Sequence, residues 1–556
     1  MPAAVIYSTL TDLAPNTEVA HAVAVQTDGK IVVGGDSNNT QVTQGQDIGA
    51  FTVVRYNADL SLDTSFGTSG VQTTYITPGQ NNAVRAMAIQ SDGKIVLAGW
   101  TATGSQSAGD DNFAIARYTT SGVLDTSFGS GKGYVTTNVA DFMRGKKKGS
   151  PAATDHANAV AIDPNGNLIA VGWANTPTGS TAMAIARYTP TGTLDTSFNS
   201  TGPLPGTELI SPVANSANQA YSVLVEPVGS TYKIVVGGNS SAGPGHFLLV
   251  RLNSDGTLDT SFATNGIYDN SSTLNGSGAE ALALDSSGNI VASGSHWGGV
   301  ANNFLVLRFT SGGALDTTFN STGYVVTDVA NLLFGSGNTS DARSLAIQQN
   351  GNIVAGGWVA IPDGFPNAGN GEVALASYNP NGTPDTTFSS TGVFAFTPGG
   401  AGDAQAYGIA LESSGNIVTA GYGSPATSLS DYQFGVAVAD PPPSGGSSST
   451  PATASHTDSS SPTDGLTDLQ SALAELTAGT GGPATGHEAS TPIRVADGHW
   501  HSLQDQDWST VVAGKHGREE PPLPHLGVPA RPTDLLDGVF ANWSHDWALL
   551  KREPVP

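Results

Sequence analysis

"VLDTSFG", Val123–Gly129, is the stretch whose recurrence decides the fold. Near-copies stand at Leu62–Phe66, Leu194–Phe198, Leu258–Phe262 and Leu315–Phe319, with a weaker one at Pro384–Phe388, which makes six. A second phrase, "AVAVQTDGKIVVGG" at Ala22–Gly35, recurs seven times. Its inner runs begin at Ala22, Ala86, Ala159, Ser222, Ala281, Ser344 and Gly408. They are apolar on both faces, as a strand covered on both sides must be. Most run into a turn such as Asp28-Gly29, Asp92-Gly93 or Asn165-Gly166, whose glycine supplies the positive φ of a tight hairpin. A second strand follows ("KIVVGG", "KIVLAG"), then a variable loop and a third strand ("FTVVRY", "FAIARY"). The "LDTSFG" turn and a fourth strand such as "GYVTT" close the unit.

Asp63, Asp125, Asp195, Asp259, Asp316 and Asp385 mark a period of 57–70 residues. Four short strands per unit, repeated, predict a β-propeller. A lone four-stranded sheet cannot bury both faces, so each unit needs a neighbour on either side. A β-solenoid is the alternative, but its coils are shorter and it needs capped ends. The counts of six and seven then reconcile. The seventh unit ends at "QFGVAVAD" (Gln433–Asp440) without a turn or fourth strand, while the chain starts with an unassigned strand, "AAVIYST" (Ala3–Thr9). That strand supplies the missing edge and leaves no open seam. The expected fold is all-β: a seven-bladed β-propeller of four-stranded blades, residues 1–440, closed by the N-terminal strand as one monomeric ring. A largely disordered tail, residues 441–556, is expected to follow.

The phrases "DGKIVVGG", "RY" and "LDTSFG", recurring in fixed order over residues 1–440, resemble the bacterial delta-60 repeat, which has a propeller-like fold. The resemblance implies an extracellular or cell-surface bacterial protein and carries no activity to transfer. Blade seven departs by lacking "LDTSF", and blade four replaces the hairpin turn with "PVGSTYK" (Pro227–Lys233).

The bulk composition narrows the function classes. The formal charge of -25 argues against nucleic-acid or anionic-membrane binding, which needs clustered cations. The one basic run, Arg144–Lys148, reads as a solvated loop. There is no cysteine, so no disulfide or thiolate chemistry. No Sec-type signal and no membrane-spanning apolar run is visible, which leaves a cytoplasmic location open. In the tail, "PPPSGGSSSTPATASHTDSSSP" reads as a disordered linker. Leu466, Leu469, Leu473 and Leu476, and later Leu536, Phe540, Trp543, Trp547 and Leu550, predict short amphipathic helices, the second with Thr533 as its N-cap.

Chemistry-bearing motifs are sparse. The Asp of "LDTSF" recurs in six units and is preceded in five by Arg55, Arg117, Arg187, Arg251 or Arg308, with Ser377 in the sixth. A group present in every blade reads as a structural brace, the Asp bonding turn amides and pairing with the Arg. "NSDGTLD" (Asn253–Asp259) and "DPNGN" (Asp163–Asn167) resemble calcium loops but lack the closing Glu, so hairpin turns are the better reading. His499 and His501 lack a third metal ligand. No cofactor is implied.

A propeller meander sends its short repeated turns to one face and its variable loops to the other. Function is expected on the variable face. One set of residues immediately precedes each inner strand: His21, Arg85, Asn158, Tyr221, Glu280, Arg343 and Tyr407. They differ within a monotonous frame and should ring the channel mouth. A second set ends strand two: Trp100, Trp173, Trp358 and Tyr422, with Trp297 slightly later. Aromatic walls with a few placed polar groups suit a neutral glycan or a peptide. The plain alternative is that these side chains plug the mouth and pack beneath loops. The functional reading is a non-catalytic binding or scaffold module. The alternatives are a glycoside hydrolase or lyase, which needs two carboxylates on that face, and a structural ring that only presents the tail.

Overall fold

The computed structural model describes residues 4–440 except 14–16, 39–47, 104–109, 141–153, 243–244, 271–273, 275, 277, 336, 363–369, 401 and 426–431. The tail features and Arg144–Lys148 lie outside the described residues. The strands form seven four-stranded antiparallel sheets. Blade one is Glu18–Val25, Ile31–Asn38, Gly49–Tyr56 and Val71–Thr74. The meander repeats with innermost strands Asn82–Ile89, Asp155–Ile162, Asn218–Val228, Ala281–Leu284, Ser340–Ile347 and Asp403–Leu411. In blade seven the fourth strand is Ala4–Thr11, paired with Gln433–Asp440 from Ala4 opposite Asp440 to Thr11 opposite Phe434. The termini of the ring therefore share one sheet, as the repeat count requires.

The core lies between blades, where side chains from facing sheets interdigitate. Phe113 and Ile115 of blade two share a cluster with Leu168 and Ala186 of blade three. Ile31, Val33 and Tyr56 of blade one share another with Val418, Phe434 and Val436 of blade seven. A departure from the repeat is a short helix, Val329–Phe334, between blades five and six. The Asp328 side chain accepts from Asn331 N at 3.0 Å and caps it.

The "LDTSF" turn joins each blade to the next. In blade two, Ser127 N and Oγ donate to Asp125 Oδ1 at 3.0 and 2.6 Å, which fixes the turn. Arg117 Nε donates to Asp125 Oδ2 at 2.8 Å, and Nη1 donates to the Pro190 carbonyl of blade three at 2.5 Å. The guanidinium lies 4.7 Å from the centroid of the Phe128 ring, and Gly129 N donates to the Thr191 carbonyl of blade three at 2.9 Å. The ion pair recurs at Arg55–Asp63, Arg187–Asp195, Arg251–Asp259 and Arg308–Asp316. Blade six has a neutral version. Ser377 Oγ and Asn352 Nδ2 donate to Asp385 Oδ2 at 3.0 and 2.8 Å, and Gln348 Nε2 reaches the Gly415 carbonyl of blade seven at 3.3 Å.

In six blades the innermost strand starts about four residues earlier than the apolar run suggests, and the extension contains a β-bulge. In blade two, Val84 faces Gly99 while Ala86 faces Ala98, so Arg85 is the extra residue. The same irregularity sits at His21, Asn158, Tyr221, Arg343 and Tyr407. A bulge bends the strand and re-aims one side chain. It also brings the strands close: a methyl on Gly99 would overlap the Ala83 carbonyl, and its counterpart in every other blade meets the same obstacle. That is why a glycine closes each "KIVVGG"-type phrase. Gly99→Val is expected to cost about 3 kcal/mol, measured by urea unfolding. A cost under about 1 kcal/mol would show that the bulge can relax.

Candidate functional site

The seven residues expected at the channel mouth occupy equivalent backbone positions. Six are the bulged residues, and Glu280 takes the corresponding place in blade five. There the innermost strand is only Ala281–Leu284, with Glu280 N donating to the Ser293 carbonyl at 2.9 Å. All seven are half-buried. Sequence reasoning put them just ahead of the strands; they lie within or at the start of the ladder, held by its hydrogen bonds.

Contacts among them run around one arc. His21 Nε2 lies 2.8 Å from Arg85 Nη1 and 3.0 Å from Asp36 Oδ1. Burial and the Arg85 guanidinium push His21 below its ordinary value, so the neutral ring accepts from Arg85. The His21 and Tyr407 rings are 5.2 Å apart, and the Arg343 guanidinium sits 4.8 Å from the Tyr407 centroid. Arg343 Nη2 pairs with Asp341 Oδ2 at 3.1 Å, and Ser295 Oγ donates to the other oxygen of Asp341. Tyr422, buried, continues the aromatic run: it lies 6.2 Å from Tyr407 and 4.7 Å edge-on from Tyr432. Its hydroxyl donates to Asp403 Oδ2 at 3.3 Å. Blades six, seven, one and two thus share one connected network of aromatic and charged groups.

The remaining mouth residues are engaged elsewhere. Asn158 Nδ2 donates to the Ala220 carbonyl at 2.8 Å. The Tyr221 hydroxyl contacts Gln219 Oε1 at 2.8 Å and Asn239 Oδ1 at 3.2 Å. Burial, the Asp341 carboxylate and the opposing pull of Arg343 leave Glu280 pushed up to about 8.

The three tryptophans do not form one group. Trp100 and Trp173 flank His156, at 4.4 Å nearly parallel and at 4.6 Å tilted. His156 Nε2 lies 2.9 Å from Asp111 Oδ2. Trp358 stands across the channel in blade six, opposite Asp341 in the ladder, with its indole N–H buried and without an acceptor among the described residues. Trp297 ends its strand opposite Asn302. Sequence reasoning passed over Asp36, His156, Asp341 and Tyr432. Asp36 holds the strand-two position that is aromatic in four other blades. His156 and Asp341 stand two residues before the bulge. Aligning the repeats a few residues further upstream exposes the last two.

The calcium-like stretches are hairpin turns. Asp163 Oδ1 accepts from Asn165 N and Asn167 N at 2.8 and 2.9 Å, and Asp255 Oδ1 accepts from Thr257 N and Oγ1 at 3.0 and 2.7 Å. Among the described residues no helix is long and apolar enough to cross a membrane.

Six segments, 26–66, 90–128, 164–198, 233–262, 286–319 and 348–388, match a family model described as "Domain of unknown function (DUF5122) beta-propeller". Five run from the first hairpin of a blade, and that of blade four from within its second strand, to the "LDTSF"-type Phe, and the chain is a β-propeller repeat protein. Among solved structures it is similar to a protein of unknown function from Dyadobacter fermentans, at 12 % identity over 79 % of this chain and 99 % of that one, with a TM-score of 0.39. It is similar to a fungal alcohol oxidase of the AA5 family in complex with copper (14 % identity, 79 % and 77 % covered, TM-score 0.38). A sialidase of Trypanosoma rangeli also matches (9 % identity, 78 % and 59 % covered, TM-score 0.37). At these scores none of the likenesses bears on the function of this chain. No curated protein matches it in sequence.

Proposed function

We propose that the ring is a non-catalytic binding or scaffold module that takes a neutral glycan or a peptide at the channel mouth. The carrying observation is the contrast between frame and side chain. One backbone device, a bulge opposite a glycine, is repeated around the ring, and the residue it presents differs in nature from blade to blade. A purely structural ring has no reason to vary these positions while holding their geometry fixed. The delta-60 resemblance supports a place at a bacterial surface, with the molecule acting as a single ring.

The contact surface is centred on blades six, seven and one, around Trp358, Arg343, Tyr407 and Tyr422. Trp100 and Trp173 contribute less, because each gives a face to His156. Full-length protein on arrays of neutral oligosaccharides and peptides tests this reading. Trp358→Ala and Arg343→Ala should each weaken binding about tenfold or more with the fold retained. Trp100→Ala should mainly lower the melting temperature. Equal binding by the Trp358 and Arg343 variants and the wild type places the ligand elsewhere. Unfolding of the Trp358 variant makes that side chain core.

One observation favours the enzyme reading: Asp341 lies beside Glu280, and Asp36 and Asp403 join the same network, so several carboxyls are present where the sequence suggested one. Release of reducing or unsaturated sugar ends by the full chain, lost in Glu280→Gln, would establish it.

A further inference from the structure

Six of the seven mouth side chains spend their polar groups on neighbours. His21 accepts from Arg85, which also pairs with Asp36, and Arg343 pairs with Asp341 and covers Tyr407. Asn158, Tyr221 and Tyr407 bond the Ala220 carbonyl, Gln219 and Gln405. Glu280 is the exception: among the described residues no hydrogen bond or ion pair reaches its carboxyl. Gly278 stands two residues before it, and blade five carries Ser295 where four other blades place Trp or Tyr. A half-buried carboxyl with no hydrogen-bond or ion-pair partner among the described residues therefore stands at the mouth in blade five.

The charged and titratable groups around it are Tyr221 from blade four and Asp341 and Arg343 from blade six. None of them satisfies it. The Tyr221 hydroxyl is turned to Gln219 and Asn239, the Arg343 guanidinium is held by Asp341, and Asp341 carries the same sign. Two carboxyls share the Arg343 guanidinium, which is paired with Asp341, so the carboxylate form of Glu280 is left short of positive charge. The formal charge of -25 draws cations toward the molecule and repels anions.

We propose that the channel mouth at blade five is a site for a primary ammonium group, such as a lysine side chain of a peptide, with Glu280 as the carboxylate that receives it. The inference rests on the mouth being the binding face and narrows its ligand to a cation-bearing peptide. A neutral ligand hydroxyl brings a donor but no charge to the carboxylate, whereas an ammonium brings both. In the empty site the proton takes the place of the cation, which is consistent with the upward shift of Glu280 to about 8. Binding of the ammonium then releases that proton to solvent, leaving the carboxylate paired.

The test is isothermal titration calorimetry on the full chain with acetyl-Gly-Lys-Gly-amide and acetyl-Gly-Gln-Gly-amide, in two buffers of different ionisation enthalpy. The lysine peptide should bind at least about tenfold tighter than the glutamine peptide. Close to one proton should be released at pH 7, and affinity should rise roughly tenfold per pH unit from pH 6 to 8. Glu280→Gln should erase the preference. Its folding is checked independently. The raised Glu280 value favours the native state at low pH and loses that benefit as pH rises toward 8, so the variant should melt no lower than wild type at pH 8. Equal binding of the two peptides, or binding without proton release, overturns the proposal. Should the glutamine peptide bind tighter and weaken above pH 8, Glu280 is a donor and the ammonium site falls while the mouth remains the binding face. If the Trp358 and Arg343 variants bind array ligands as wild type does, the reading of the mouth itself falls.

Discussion

A chain lacking residues 1–12 should melt about 10 °C or more below the full chain, or fail to fold. Ala4–Thr11 is the outer strand of blade seven, and its loss exposes the whole edge of Gln433–Asp440 to water and to other chains. The seam it guards is also the one with no "LDTSF" turn. The six other seams carry the Asp-centred turn of the preceding blade. Between blades seven and one the junction relies on apolar packing around Phe434 and Ile31 and on the Tyr56 hydroxyl donating to Thr11 Oγ1 at 2.9 Å. Circular dichroism melts of the two chains measure the effect. Adding a synthetic peptide of residues 1–12 should recover part of the loss, which separates closure from a general effect of truncation. An unchanged melting temperature would mean that the ring is held by its other six seams alone.

Arg117→Ala should cost about 3–5 kcal/mol, the range for stripping one partner from a buried ion pair. Arg117 and Asp125 are 5 % and 7 % exposed, so water cannot replace the lost partner. The substitution also removes the donor to the Pro190 carbonyl and the cover on Phe128. Arg117→Met, which restores volume without charge, should remain costly because Asp125 keeps its charge; the double variant with Asp125→Asn should recover much of the loss. Urea unfolding of the three variants gives the comparison. Recovery in Arg117→Met alone would assign the effect to packing.

The same turns set the acid limit of the fold. Burial alone raises Asp259, yet hydrogen bonds from Ser261 and Lys233 hold it down to about 2. Asp63, Asp125, Asp195, Asp316 and Asp385 are also lowered. A carboxylate held below its unfolded value contributes stability above pH about 4 and loses it as pH falls toward 2. With six such turns, the melting temperature should hold down to about pH 4 and drop steeply below it. A flat profile to pH 2 would show that the turns add little.

Some of this architecture was legible because it is written locally and repeatedly. The glycine turns, the short apolar runs and the six "LDTSF" copies each report on a few neighbouring residues, and repetition averages out their ambiguity. The Arg–Asp brace was readable for the same reason, since Arg117 and Asp125 are close in the chain and recur together. The count of seven inner phrases against six turns was enough to assign Ala4–Thr11 to blade seven, although the two strands of that pair lie at opposite ends of the ring. The bulge was not readable in this way. It adds one residue to a strand whose register is set by the partner strand, and its sequence mark, a glycine such as Gly99, is also what an ordinary turn shows.

The sequence by itself determined the repeat, the number of blades, the closing strand and the ring of seven variable positions, because each follows from period and count. Only the tertiary structure decided what those seven side chains do. Whether a polar group is free depends on neighbours that assembly of the blades brings together: His21 meets Tyr407 across the seam, His156 fills the space between Trp100 and Trp173, and Ser295 of blade five donates to Asp341 of blade six. Glu280 is left without a hydrogen-bond partner among the described residues, because the neighbouring Arg343 is paired with Asp341. That is a property of the assembled mouth, and no single repeat contains it.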